Sequence, residues 1–99
     1  MKAAIHDTFG EPVDVLRARD VDKPVPSAGD VLVRMTLSPI HNHDLWIIRG
    51  NYGYKPDLPG AIGGTEAVGI IDAVGEGVDT GLIGTRIAVA GVHGTWAEY

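Results

Sequence analysis

The sequence predicts a mainly β domain, a small distorted barrel of short strands with one or two short helices. Three observations carry this. Fourteen glycines and six prolines cut the 99 residues into brief segments, too short for long helices. Between these breaks, apolar residues alternate more often than they recur at helical spacing. Only the interval from Ser38 to Gly50 departs from this pattern.

Taken in order, Lys2 to His6 and Leu16 to Val21 carry the first, short strand patterns. In Asp30 to Ser38, Val31, Val33, Met35 and Leu37 alternate with Leu32, Arg34 and Thr36, which predicts a strand with one buried face. Asn42 is placed to cap a short helix running through Asp44, Leu45, Trp46, Ile47 and Ile48 to a terminating Gly50. Asn51 to Gly64, with Pro56, Pro59 and four glycines, is a loop long enough to carry function. Ala67 to Val74 and Arg86 to Ala90, rich in Val, Ile and Ala and bounded by glycines, are two more strands. Thr95-Trp96-Ala97 begins another, just before Tyr99. A barrel without closing strands leaves edges and apolar surface open, so covering by a further part of a longer chain, or self-association into a homo-oligomer, is expected.

Composition narrows the function. Hydrophobic residues make up 44% of the chain and charged residues 21%, enough apolar material for one packed domain. A net charge of -5 and no basic-aromatic cluster exclude a nucleic-acid surface. No apolar run nears the roughly 20 residues of a membrane span, and no signal-type apolar core follows Met1, so a soluble, cytoplasmic protein is expected. With no cysteine, disulfides, thiolate zinc ligands and a cysteine nucleophile are excluded. Gly75-Glu76-Gly77 lacks the third glycine, the strand-to-helix context and the later acidic residue of a dinucleotide fingerprint.

Four ordered blocks stand out: Gly29-Asp30-Val31-Leu32-Val33; Asn42-His43-Asp44; Leu58-Pro59 through Gly64-Thr65-Glu66-Ala67-Val68-Gly69; and Val74-Gly75 with Gly84-Thr85-Arg86-Ile87. Followed by Gly94-Thr95-Trp96-Ala97-Glu98-Tyr99, they cover nearly the whole chain and resemble the medium-chain dehydrogenase/reductase superfamily. That resemblance implies a GroES-like barrel over residues 1–99, the alcohol dehydrogenase-like N-terminal catalytic domain of a longer chain, normally followed by a Rossmann domain. It is nearest the quinone oxidoreductases and 2-enoyl thioester reductases, through Gly50-Asn51-Tyr52-Gly53, Leu58-Pro59 and Gly63-Gly64-Thr65-Glu66. The implied activity is NADPH-dependent reduction of a quinone or an α,β-unsaturated carbonyl or enoyl thioester. The cofactor would be held mostly by the Rossmann partner domain, and residues 1–99 would be inactive alone.

The same comparison implies zinc independence and no bound metal. Zinc alcohol dehydrogenases carry a Cys-His-Thr-Asp type block where this chain has His41-Asn42-His43-Asp44, and Gly-His-Glu where it has Gly64-Thr65-Glu66. Their four-cysteine lobe has no room between Ala90 and Thr95. Two alternatives stand beside this: a zinc alcohol dehydrogenase using His41, Glu66 and a ligand from a following segment, and a non-enzymatic GroES-like binding module.

Hydride reduction of a polarised double bond needs an oxyanion donor and a proton source. By resemblance Tyr52 is the proton donor or substrate-orienting group. Asn42 faces nicotinamide or substrate, or simply caps its helix. His43 lies at a proton-relay position, or is a half-exposed helix-start histidine. For Asp44 and Glu66, hydrogen bonding to loop backbone or to an arginine of the following domain is expected. Gly64 and Gly69 permit turns or close approach, Trp46 is expected in the core, and Tyr54 covers its loop.

Overall fold

The first apolar segment forms β1 (Lys2–His6), whose Ala3, Ile5 and His6 are buried. The computed structural model describes all 99 residues. β1 pairs antiparallel on one side with β2 (Arg17–Asp20) and on the other with the two-residue β4 (Ala61–Ile62). The second sheet is also three-stranded and antiparallel. Its centre is β5 (Ala67–Val74), flanked by β3 (Val31–Leu37) and β6 (Arg86–Val89). The expected barrel is thus open, two separate sheets that do not close on each other.

Between β3 and β4, and so on the crossing from the second sheet back to the first, lies α2 (Asn42–Arg49). It ends at Gly50, which takes the left-handed φ of 79° that glycine adopts without strain and packs under the Phe9 ring. Two short elements have only faint sequence signals. Pro12 starts the four-residue α1 (Pro12–Val15) at the first-turn position where its missing N–H costs nothing. Thr80–Leu82 makes one 3₁₀ turn, capped by the Asp79 carboxylate accepting from Gly81 N.

The alternation in β3 does not sort into one buried and one exposed row. Leu32, of the intervening set, is buried, Val31, Val33 and Met35 are half-buried, and Leu37 is exposed. Register shifts between Leu32 and Val33 and between Met35 and Leu37 account for this, because each irregularity turns the strand and re-aims the side chains after it. Gly69 of β5 sits against this kinked strand. A Cβ there would run into the Arg34 carbonyl oxygen and lie 2.6 Å from Val33 Cγ1.

The segment expected to begin a strand at Thr95 instead ties the two sheets together, with one ladder bridge between Ala97 and Ala3. Trp96 O accepts from Ala4 N at 2.8 Å, and Glu98 O accepts from Met35 N at 2.9 Å. Only 15 of 99 residues are buried, so the core is thin and centred on Ile5, Ile47, Ile48 and Ile71. Each such isoleucine contributes about 1.5–3 kcal/mol by leaving water, and little else is available to compensate for its loss.

Asp7 fastens the first sheet to the loop before β4. Its carboxylate accepts from Arg19 Nη2 at 2.6 Å, from Arg19 Nη1 at 3.1 Å and from Gly60 N at 2.9 Å. The hydrogen bonds from Arg19 hold the carboxyl below the usual carboxylate range; desolvation opposes them, and the Arg19 charge and the Gly60 N–H add to the lowering.

Gly69→Ala is expected to destabilise the protein by about 1–3 kcal/mol in denaturant unfolding, because backbone rather than a flexible side chain must give way. Gly53→Ala, with open space around its Cβ position, should change stability by no more than about 0.5 kcal/mol. The Asp7 contribution has a defined pH sign. The folded pKa lies below the ordinary 3.8, so the contribution is complete above that value and is lost as pH falls through the lowered one. Asp7→Asn should therefore lower Tm slightly at neutral pH and flatten the acid side of a Tm-against-pH curve.

Candidate active site

The start of α2 brings two imidazoles to the surface beside the strand entry at Thr65 and Glu66. His41, not Asn42, is the N-cap, and Asn42 is the first helical residue. The reason is Asp44, whose Oδ2 accepts from His41 N at 2.8 Å while its own N–H donates to His41 O at 3.1 Å. An acidic side chain reaching back to the cap N–H satisfies one of the donors exposed at a helix start. Asn42 is left exposed, its amide making no hydrogen bond within the chain.

Asp44 is the most deeply buried acid, 2% exposed. Its Oδ1 accepts from the Thr65 hydroxyl at 2.8 Å, and Thr65 Oγ1 lies 2.7 Å from His43 Nε2. Asp44, Thr65 and His43 thus form one chain of hydrogen bonds from interior to surface. The other imidazole, His41, donates from Nε2 to Glu66 Oε2 at 2.8 Å, both side chains being part-exposed. Asp44 accordingly bonds backbone and a neighbouring hydroxyl, and within this domain Glu66 bonds His41.

Stacking fixes the ring planes. His41 and His43 lie 5.0 Å apart between centroids, and His43 and Tyr52 5.8 Å. Tyr52 also touches Trp46, at 6.3 Å. Trp46, expected in the core, is 47% exposed; the buried face of α2 belongs to Asp44, Ile47 and Ile48, and the indole lies off that face beside Tyr52. The Tyr52 loop is held by Lys55, whose ammonium donates to the carbonyls of Gly50 at 2.6 Å and Tyr52 at 2.9 Å. Tyr54 stacks outside the loop on His93, 3.5 Å between centroids.

His43, Tyr52, Thr65 and Glu66 line a cleft of about 240 Å³ together with Ile47, Gly91, Val92 and His93. Larger open grooves exist elsewhere, one of about 540 Å³ along β3, but the hydrogen-bonded polar groups converge on the smaller cleft. The turn that leads into Thr65 depends on Gly63 and Gly64. A Cβ on Gly63 would meet the six-membered ring of Trp96, 2.8 Å from Cζ3, and one on Gly64 would meet Thr95 Oγ1. Trp96 N donates to Gly63 O at 2.8 Å, and its indole N–H to Pro39 O at 3.1 Å.

The structure therefore gathers Tyr52 and His43 at one cleft, leaves Asn42 at the surface beside them, and adds Thr65. Seen in sequence, Thr65 is only a residue unsuited to bind zinc. Its bridging role joins positions 21 and 22 residues apart, and no local pattern signals that. Gly75-Glu76-Gly77 makes the turn after β5, with Gly75 N bonded to Asp30 O at 2.8 Å, and leads to no α-helix.

Two open antiparallel sheets, with a short helix and an acid-hydroxyl-imidazole chain at its start, lack the parallel strand-helix-strand units of a nucleotide-binding fold. The chain belongs to the alcohol dehydrogenase GroES-like domain family, whose model matches residues 27–99. It is 40% identical to an alcohol dehydrogenase of Moraxella sp. over 93 residues, 94% of this chain and 26% of that protein. It is 38% identical to the mouse mitochondrial enoyl-[acyl-carrier-protein] reductase over 97% of this chain and 26% of the relative. Among solved structures, a Bacillus thuringiensis protein described as an NADPH:quinone reductase superposes with a TM-score of 0.89 at 37% identity, covering 98% of this chain and 29% of that one. A mycobacterial protein complexed with NADPH superposes with a TM-score of 0.84 at 29% identity, over 99% of this chain and 30% of its own. The chain spans about a quarter of the length of these curated relatives. No helix is long and apolar enough to cross a membrane.

Removing the Asp44 carboxylate strands the His41 N–H and the Thr65 hydroxyl. Asp44→Ala is expected to cost about 2–4 kcal/mol in denaturant unfolding, since roughly 1–3 kcal/mol is lost for the buried Thr65 hydroxyl left unpaired and less for the part-buried His41 N–H. Asp44→Asn, which keeps an acceptor oxygen, should cost less.

Proposed function

We propose that these residues form the substrate-side domain of a zinc-independent, NADPH-dependent reductase acting on a quinone or an α,β-unsaturated carbonyl or enoyl thioester. The observation that carries the reading is the stacked pair of Tyr52 and His43 lining one cleft, with His43 hydrogen-bonded to Thr65. The relatives named as quinone and enoyl-acyl-carrier reductases support the substrate class.

The chemistry divides between domains. When bound, NADPH supplies a hydride. In this chain, Asn42 fits a contact with the nicotinamide amide, since its own amide has no other partner. The Gly75–Gly77 turn does not fit a pyrophosphate, and a Rossmann domain outside these residues supplies that site, so residues 1–99 alone are inactive. Tyr52, whose hydroxyl has no partner in the chain, donates a hydrogen bond to the substrate carbonyl oxygen, and the bond strengthens as negative charge develops there. His43 delivers the proton that completes the reduction.

Zinc does not fit the side chains present. His41 and Glu66 bond one another, Thr65 offers a hydroxyl already donated to Asp44, and no three His, Asp or Glu side chains converge, whereas catalytic zinc takes three good protein ligands.

The test is NADPH oxidation by the intact protein with quinones, enones and enoyl thioesters, alongside metal analysis. Turnover without bound zinc is expected, and Tyr52→Phe should lower kcat roughly 100-fold. Stoichiometric zinc whose removal abolishes turnover would sink the proposal in favour of an alcohol dehydrogenase.

A further inference from the structure

We infer that Thr65, anchored by the buried Asp44 carboxylate, is a positioning residue that holds His43 in its Nε2–H tautomer, leaving Nδ1 as the atom that passes the proton. The catalytic half of this rests on the reductase reading above; the tautomer does not.

A hydroxyl has one hydrogen to give. In Thr65 that hydrogen points to Asp44 Oδ1, 2.8 Å away, because an ionised carboxylate only accepts. The Thr65 oxygen is then an acceptor toward everything else. At 2.7 Å from His43 Nε2, the hydrogen between those two atoms must come from the imidazole. Asp44 Oδ1 itself lies 3.5 Å from the same nitrogen, where it favours an N–H and disfavours a lone pair.

Asp44 cannot swing away to relax this arrangement. Its second oxygen takes the His41 N–H at the helix cap, and both Asp44 and Thr65 are buried, at 2% and 7% exposure. The His43 ring cannot flip freely either, since His41 stacks at 5.0 Å and Tyr52 at 5.8 Å. Nδ1 makes no hydrogen bond within the chain, and the His43 side chain keeps 33% of its surface exposed. Solvent can therefore recharge it. His41 lacks this device: its Nε2 meets the part-exposed Glu66 carboxylate, which water can replace.

The proton balance is simple. With a nicotinamide as hydride donor, the hydride adds to one atom of the polarised acceptor. The Nδ1–H bond of the His43 imidazolium then breaks, its electron pair stays on Nδ1, and the proton forms the new C–H or O–H bond. The ring returns to the neutral Nε2–H tautomer that Thr65 holds, and a solvent proton restores the imidazolium. The bond to Thr65 is the same before and after, so the ring transfers its proton without reorienting.

The experiment is two-bond ¹H–¹⁵N correlation on the intact protein labelled in its histidine rings, in alkaline buffer, with His43→Gln assigning the signal. Expected is a protonated-type Nε2 and an unprotonated-type Nδ1. Thr65→Val should mix the tautomers and lower kcat about 10- to 100-fold with KM little changed, and Thr65→Ser should restore both. Circular dichroism checks that each variant is folded. A wild-type Nδ1–H tautomer overturns the inference whatever the turnover, as does a folded T65V protein with tautomer and kcat unchanged. An Nε2–H tautomer in a protein that reduces none of the acceptors supports the positioning and overturns the reductase reading instead.

Discussion

A carboxylate buried at the start of a short helix organises this domain. Asp44 has lost its water, and a buried charge persists only if its oxygens are hydrogen-bonded. One oxygen caps α2 through the His41 N–H, and the other takes the Thr65 hydroxyl from the entry to β5. Two elements that meet in no sheet are thereby joined at a point. The direction of α2, the spacing of its two imidazoles and the place of the Tyr52 loop beyond Gly50 follow from that junction.

The surrounding fold lends this junction little margin. Two three-stranded sheets, linked by the segment around Trp96, bury few residues, and Leu37 and Ile40 stay exposed at 73% and 72%. The turn into Thr65 depends on backbone approach instead: Gly63 and Gly64 let Trp96 and Thr95 lie directly on the strand entry that carries Thr65 and Glu66. A polar, hydrogen-bonded corner is thus built on a thin apolar base.

Much of the scaffold was legible in the sequence because its signals are local. β1 and β5 fall where the apolar segments between turn residues place them, and β3, β6 and β2 differ by a residue at their ends. Gly50 ends α2 as a glycine after an apolar period does. The errors are equally physical. Asn42 has the right chemistry for a cap, but Asp44 reaches back one residue further and moves the cap to His41. Trp46 has the apolarity of a core residue, yet its place on the helix surface leaves it beside Tyr52. Pro12 alone hinted at α1, and the two-residue β4 has no periodicity to detect.

By itself the sequence determined the strand-rich class, the absence of thiolate chemistry, the family blocks, and the candidates Tyr52, Asn42 and His43, since each depends on residue type and short-range order. Only the tertiary structure decided that Thr65 joins Asp44 to His43, that Tyr52 stacks on that imidazole while Asn42 stands free, and that the barrel is open. Those relations join residues from a helix, a loop and a strand entry. Hydrogen bonds and ring contacts of that kind depend on ångström-scale placement, which periodicity and spacing along a chain do not encode.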